Sequence, residues 1–314
     1  MLDGISILCF SATYLVTLAL EINRTVFGTG RRMAYTTFGV AIVGVLTHIW
    51  FLVLQARNGL LQQSAPLSSW YHWCLIAALA LVLVYIAWTV RRPGTAFGLF
   101  VLPVSLLLIL FAIQFSPEQT VSHQRASLVW GSIHGGALLL GTVAVCVGFS
   151  AGLMYLVQSY RLKNKIPPRH GFRLPSLEML QTTNSRALVI SSVLLAIGLL
   201  SGVLLNMAQP DRRLSWLDPA VISSSGLFLW LIAACLFNAV YKPVRMGKKV
   251  AYLTVASFVF LMLVLAITLL GPSMHGTDID SSDVQETSAL RLDTNSPSVE
   301  GDRTWISFMR EVVA

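Results

Sequence analysis

Eight stretches of the chain carry apolar side chains almost without interruption: residues 4–22, 34–54, 69–89, 97–115, 128–158, 187–207, 220–241 and 251–271. Each is near the length a helix needs to cross the hydrocarbon core, about 20 residues. None shows the two-residue alternation of a barrel strand, and in lipid the backbone has to satisfy its own hydrogen bonds. The pattern predicts an all-α integral membrane protein with about eight transmembrane helices. Short connections join most of them into one membrane domain over residues 1–275, with no internal repeat. Residues 276–314 are rich in Ser, Asp and Thr, a composition expected to be a disordered acidic tail on the non-cytoplasmic side. Its last stretch, with Trp305, Ile306, Phe308 and Met309, suits a short interfacial helix.

Composition agrees, with 55% hydrophobic and 11% charged residues against roughly 25% charged in a soluble domain. The first run lacks a basic leader and is preceded by Asp3, so it reads as a retained helix rather than a cleaved signal. The formal charge of +8 points to nucleic acid only until its distribution is examined. Basic residues collect after runs one, three, five and seven: Arg24, Arg31 and Arg32; Arg91 and Arg92; Arg161, Lys163, Lys165, Arg169 and Arg173; Lys242, Arg245, Lys248 and Lys249. The intervening loops hold only Arg57, Arg125, Arg212 and Arg213. The positive-inside rule then puts the odd-numbered loops in the cytoplasm and both chain ends outside. The expected setting is a bacterial inner (cytoplasmic) membrane, with lipid as a partner and no nucleic acid. The loop after the fifth run, with a core from Arg161 to Thr183, is expected to be irregular and to lie near anionic headgroups.

Charged residues are absent from the middle of runs two to eight, which argues against a proton relay or ion-coupled transporter. The four cysteines, Cys9, Cys74, Cys146 and Cys235, sit singly in apolar runs and read as packing residues. Histidine is more informative, because an imidazole in so apolar a setting needs a hydrogen-bond partner, a polar surface or a metal. Measured from the cytoplasmic end, the fifth run brings Trp130 and His134 to the outer interface. Gly131, Gly135 and Gly136 around His134 leave room for a neighbouring helix or a flat ligand. The eighth run is ended by Gly271-Pro272, which places His275 just beyond it on the same outer side. A single interfacial histidine is ordinarily structural or solvated, but two at matching depth can ligate a porphyrin iron from opposite sides. The outer loop 207–219 ends in Trp216, Asp218 and Pro219. Trp216 offers a stacking face and Arg212 and Arg213 can pair with propionates. An interface anchor, a helix cap at Asp218 and a first-turn proline are the plainer account of the same residues. His48, in the outer half of the second run, needs a partner that a Ser, a Thr or a carbonyl on another helix would satisfy.

The order of these elements resembles the cytochrome c assembly family of the CcsA/ResC type, with its HemX-like relatives. The residues that carry the resemblance are Trp130-Gly-Ser-Ile-His134, Leu174-Pro175-Ser176-Leu177, Ser215-Trp216-Leu217-Asp218-Pro219 and Gly271-Pro-Ser-Met-His275. They span most of residues 35–276 and leave out the tail. The resemblance implies that His134 and His275 are external histidines holding haem b, as transient cargo, at the outer face. It implies that the tryptophan loop presents haem to apocytochrome c, and that a second cytochrome c biogenesis membrane protein is a partner. His48 is similar to a second-helix histidine of CcsA and HemX-like relatives. Two departures stand out. The family's tryptophan-rich loop is reduced to Trp216 and Asp218-Pro219, with Leu217, Ala220 and Val221 where Trp, Lys and Glu would stand. Aligning Trp230 with the seventh-helix tryptophan puts Asn238 where ligase-type members carry an intramembrane histidine, so His48 and Asn238 are the candidate polar or haem contacts within the membrane.

Three functions follow as expectations. The first is a haem-binding component of cytochrome c biogenesis, at most part of a haem lyase complex, with no catalytic side chain of its own. The second is a HemX-like accessory protein of the haem pathway, and the weakest is a small-solute transporter. The first depends on the topology, which a reporter fused after Ala314 tests: alkaline phosphatase is expected to be active there and green fluorescent protein dark. A fluorescent fusion would place the tail in the cytoplasm and remove His134 and His275 from a shared outer face.

Overall fold

The computed structural model describes residues 7–28, 31–61, 70–113, 128–166, 172–208, 219–240 and 247–270. They form helices α1 (Ile7–Phe27), α2 (Arg31–Leu61), α3 (Trp70–Arg91), α4 (Gly98–Ala112), α5 (Leu128–Lys163), α6 (Leu177–Ala208), α7 (Pro219–Val240) and α8 (Gly247–Leu270). Seven are long and apolar enough to cross a membrane, as an all-α integral membrane protein requires. The exception is α4, whose 15 residues give about 22 Å at 1.5 Å per residue. The tail from residue 276, and with it the expected interfacial helix, lies outside the described residues.

Several helices run past their apolar cores. The expected irregular segment through Thr183 is corrected at both ends, since α5 continues to Lys163 and α6 starts at Leu177 rather than near residue 187. Ser176 explains the second boundary: its hydroxyl oxygen accepts the Met179 N–H at 3.3 Å, and Glu178 sits in the first turn, where both satisfy the positive end of a helix. The helix therefore starts where its cap is, not where the hydrocarbon starts. At the end of α1, Gly28 adopts φ 64° and returns its N–H to the Arg24 carbonyl at 3.1 Å, a left-handed stop that favours glycine.

The packing alternates helix direction. α3 packs on α4, α1 on α2 and α4, α5 on α6 and α8, and α7 bridges α6 and α8. The segments after α1, α3 and α5 meet at one end of the bundle. There Arg24 donates to the Thr95 carbonyl at 2.9 Å, and the Ala96 N–H donates to the Arg173 carbonyl, also at 2.9 Å. Three of the four basic segments that the charge pattern groups together are thus neighbours in the fold; Lys242 and Arg245 of the fourth lie outside the described residues.

Arg24 is also where one sequence expectation needs correction. It is not a free loop cation but a buried one, at 8% exposure. Its Nε and Nη2 donate to Glu21 Oε2 at 3.0 and 2.6 Å, while Tyr85 of α3 donates its hydroxyl to Glu21 Oε1 at 2.7 Å. Gly98, at the start of α4, lies against this node, where a Cβ would stand 2.7 Å from the Tyr85 ring and 3.1 Å from Glu21 Cγ. A carboxylate at 2% exposure is tolerable only because every oxygen has a donor.

Removing one partner should therefore cost more than removing both. Arg24→Met is expected to destabilise the protein by about 3–5 kcal/mol, as for other broken buried pairs. Glu21→Gln/Arg24→Met should recover a large part of that loss, as read by thermal unfolding in mild detergent. Equal melting of the single and double variants would show that the pair does not act as a unit.

Candidate functional site

The α5–α6 contact is built on small residues. α6 carries Gly198 and Gly202 one turn apart, and α5 lays Leu138 and His134, also one turn apart, into the groove between them. A Cβ on Gly198 would stand 2.7 Å from Leu138 Cδ2, and one on Gly202 would stand 2.8 and 2.9 Å from His134 Cε1 and Nδ1. Glycine is required here because the imidazole itself occupies the space a side chain would take. At the other end of the contact α5 supplies the glycine, Gly148, whose Cβ position is 3.0 Å from Ala187 Cβ.

This seating fixes the chemistry of His134. Its Nδ1 is 2.7 Å from the Gly198 carbonyl oxygen. A carbonyl only accepts, so Nδ1 carries a proton, and in the neutral ring the lone pair is then on Nε2. The same carbonyl accepts the Ser201 hydroxyl at 2.9 Å. A histidine whose Nδ1–H is held by a backbone carbonyl is the arrangement found behind most metal-bound imidazoles, because it sets both ring orientation and tautomer.

Of the two uses expected for Gly135 and Gly136, room for a neighbouring helix or for a flat ligand, close helix approach is not made at these positions. A Cβ on either meets nothing within 4 Å, so the close approach belongs to α6 and these two glycines border open space. The backbone of Trp130 lies in the first turn of α5; its side chain lies outside the described residues. So do His275, Arg212, Arg213, Trp216 and Asp218, and the structure neither joins them to His134 nor separates them from it.

His48 is fully buried, and its partner is not the Ser, Thr or carbonyl expected but Tyr14 of α1, with Tyr14 Oη 3.1 Å from Nδ1. Phe10 stacks on the ring at 4.0 Å between centroids and 5° between planes. Nε2 has no hydrogen-bond partner. Asn238 is tied to α6, its Oδ1 accepting the Ser185 hydroxyl at 3.1 Å. Trp230 donates its indole N–H to Ser257 of α8 at 3.0 Å. These three residues therefore pin neighbouring helices together. Among the described residues no group of three or more His, Cys, Asp or Glu side chains is arranged to hold a metal ion. Cys74 and Cys146 are buried in the core, as packing residues should be, whereas Cys9 is exposed and Cys235 contacts Ser192 Oγ at 3.2 Å.

Comparison with known proteins covers most of this architecture. Residues 67–275, from the approach to α3 through His275, match the family model described as Cytochrome C assembly protein. The chain is 22% identical over 271 residues to a protein named cytochrome c biogenesis protein CcsA from Prochlorococcus marinus strain MIT 9301, an alignment covering 76% of this chain and 84% of the relative. A CcsA protein of strain MIT 9515 is likewise 22% identical over 305 residues, covering 87% of this chain and 93% of the relative. No solved structure matches. With two thirds of its length matched, this multi-pass helical membrane protein belongs to the cytochrome c assembly protein family.

Proposed function

We propose that the protein is a haem-binding component of cytochrome c biogenesis that holds haem at the outer membrane face, between His134 and His275, for attachment to apocytochrome c. The observation that carries this reading is the 2.7 Å contact between His134 Nδ1 and the Gly198 carbonyl oxygen, which would hold the ring through Nδ1–H with Nε2 as the nitrogen that ligates iron. Family membership and the names of the two relatives support the pathway. Haem would be cargo, supplying vinyl groups for apoprotein thiols to add to. The chain's own part is to ligate and orient it. Arg212, Arg213, Trp216 and Asp218 would frame the other side of the site in this reading, with both chain ends outside the cytoplasm and a second biogenesis membrane protein alongside.

A HemX-like accessory role is the second reading, and particular residues favour it. Leu217, Ala220 and Val221 replace the polar and aromatic residues of the family loop, and Asn238 is engaged with Ser185 instead of offering an imidazole.

Purification in mild detergent after expression with ample haem is expected to give a Soret band that is lost in His134→Ala and His275→Ala. Haem-free wild-type protein would refute the proposal. A deletion strain separates the two readings, since loss of cytochrome c staining marks assembly and its retention marks an accessory role.

Gly202→Ala gives a finer test. The added methyl would displace the ring from Gly198, and weakening such a supporting contact lowers metal affinity about 10–100-fold. The same fall in haem affinity is expected here, with the α-helix content retained. Unchanged affinity would mean that α6 does not position His134.

A further inference from the structure

α3 has 22 residues, Trp70–Arg91, or about 33 Å at 1.5 Å per residue, which matches the roughly 30 Å of bilayer hydrocarbon. With Trp70 at one boundary, Arg91 and Arg92 fall in the headgroup layer at the other. That is the end of the bundle where the segments after α1, α3 and α5 meet.

The residues that follow α3 are held rigidly. Pro93 restricts φ to about −65° and Gly94 takes φ 87°, the two central conformations of a type II turn. Across that turn the Thr95 hydroxyl donates to the Arg92 carbonyl at 3.0 Å and accepts the Trp88 indole N–H at 3.2 Å. The Thr95 carbonyl accepts from the buried Arg24 at 2.9 Å, and Trp88 stacks on Phe97 with ring centroids 4.3 Å apart. Arg91, Arg92 and Pro93 are exposed on this fixed turn.

A further arginine joins from the segment before α6. Thr95 bridges Arg173 in parallel, with the Ala96 N–H on the Arg173 carbonyl at 2.9 Å. The neighbouring Phe172 ring lies under the Arg161 guanidinium, 4.9 Å from its centroid. Paired strands lie about 5 Å apart and the ends of a β-turn within about 7 Å, so the backbones of Arg92 and Arg173 are within about 12 Å. Two arginine side chains can close that gap on one phosphate group.

The described residues hold two carboxylates, Glu21 and Glu178. Glu21 is committed to Arg24 and Tyr85, and Glu178 stands in the first turn of α6. Among the described residues Arg91, Arg92 and Arg173 have no ion-pair partner. Guanidinium groups bind phosphate oxygens bidentately, and a site already rigid loses little freedom on binding. Depth and surroundings favour a headgroup over a soluble phosphate. Val90, beside Arg91, is 63% exposed on a helix apolar and long enough to cross a membrane, so acyl chains run next to the same arginines.

We propose that Arg92 on the turn and Arg173 on the bridge, with Arg91 beside them, form a binding site for the headgroup phosphate of an anionic phospholipid. Such a lipid ties the α3–α4 and α5–α6 connections together at the membrane surface. The site does not rest on the haem proposal.

Native mass spectrometry of the full chain, released from detergent micelles with added phosphatidylglycerol or phosphatidylcholine, tests it. The wild type is expected to retain phosphatidylglycerol preferentially. A basic residue at an anionic surface is worth about a fivefold factor in binding, so Arg92→Gln and Arg173→Gln should each lower phosphatidylglycerol affinity about fivefold, and together about 25-fold. Both side chains are exposed, and substitutions of that kind leave a fold intact. Lys249→Gln is the control, since it removes one charge from the start of α8, which packs on α5, α6 and α7; affinity should not change. An equal loss in Lys249→Gln would make the whole charged face responsible and overturn the proposal, as would unchanged affinity in the double variant. Inorganic phosphate is expected to displace no more lipid than chloride at equal ionic strength. Preferential displacement would assign the arginines to a soluble phosphate compound and overturn the lipid site.

Discussion

The contact between α5 and α6 is the constraint on which the rest of the arrangement depends. Lipid tails are as apolar as leucine, so helices in a membrane are not driven together by water; they associate where they fit closely and where polar groups find partners. Gly198 and Gly202 on one helix, and Gly148 on the other, allow that approach along the length of the contact. The approach brings the His134 ring to the Gly198 carbonyl. A methyl at Gly202 would break both at once, so packing and site chemistry are one interaction seen from two sides.

Polar side chains serve the same end elsewhere. Glu21, Arg24 and Tyr85 bind α1 to α3 and to the segment that starts α4. Tyr14 and His48 join α1 to α2, Ser185 and Asn238 join α6 to α7, and Trp230 and Ser257 join α7 to α8. Each pair satisfies groups that would be costly to bury alone. Among the described residues, Asn184 departs from this pattern with both of its polar atoms.

Much of the fold was legible in the residues. Apolar run length located eight helices because lipid demands it, and three of the four basic groups fall in segments that meet at one end of the bundle. Helix ends were less legible, since Ser176 caps α6 well before its apolar core begins and hydropathy does not register a cap. The ion pair escaped notice because Arg24 was counted with the loop cations, although Glu21 three residues earlier is the spacing of a helical pair. At the candidate site, His134 stood out as a polar residue in an apolar run, but its support did not. Glycines adjacent in sequence drew attention to Gly135 and Gly136, while the pair that matters, Gly198-x-x-x-Gly202, lies on the facing helix; the small-xxx-small spacing within an apolar segment was the signal available.

The Gly198 carbonyl on α6 sets His134 with a proton on Nδ1 and, in the neutral ring, the lone pair on Nε2. Solid-state 15N NMR of histidine-labelled protein in lipid, without haem and with His134 assigned by loss of its signal in His134→Gln, measures this directly. A protonated Nδ1 and an unprotonated Nε2 are predicted for His134. A protonated Nε2 with a bare Nδ1 would contradict the account, because the Gly198 carbonyl would then have no proton to accept from the ring.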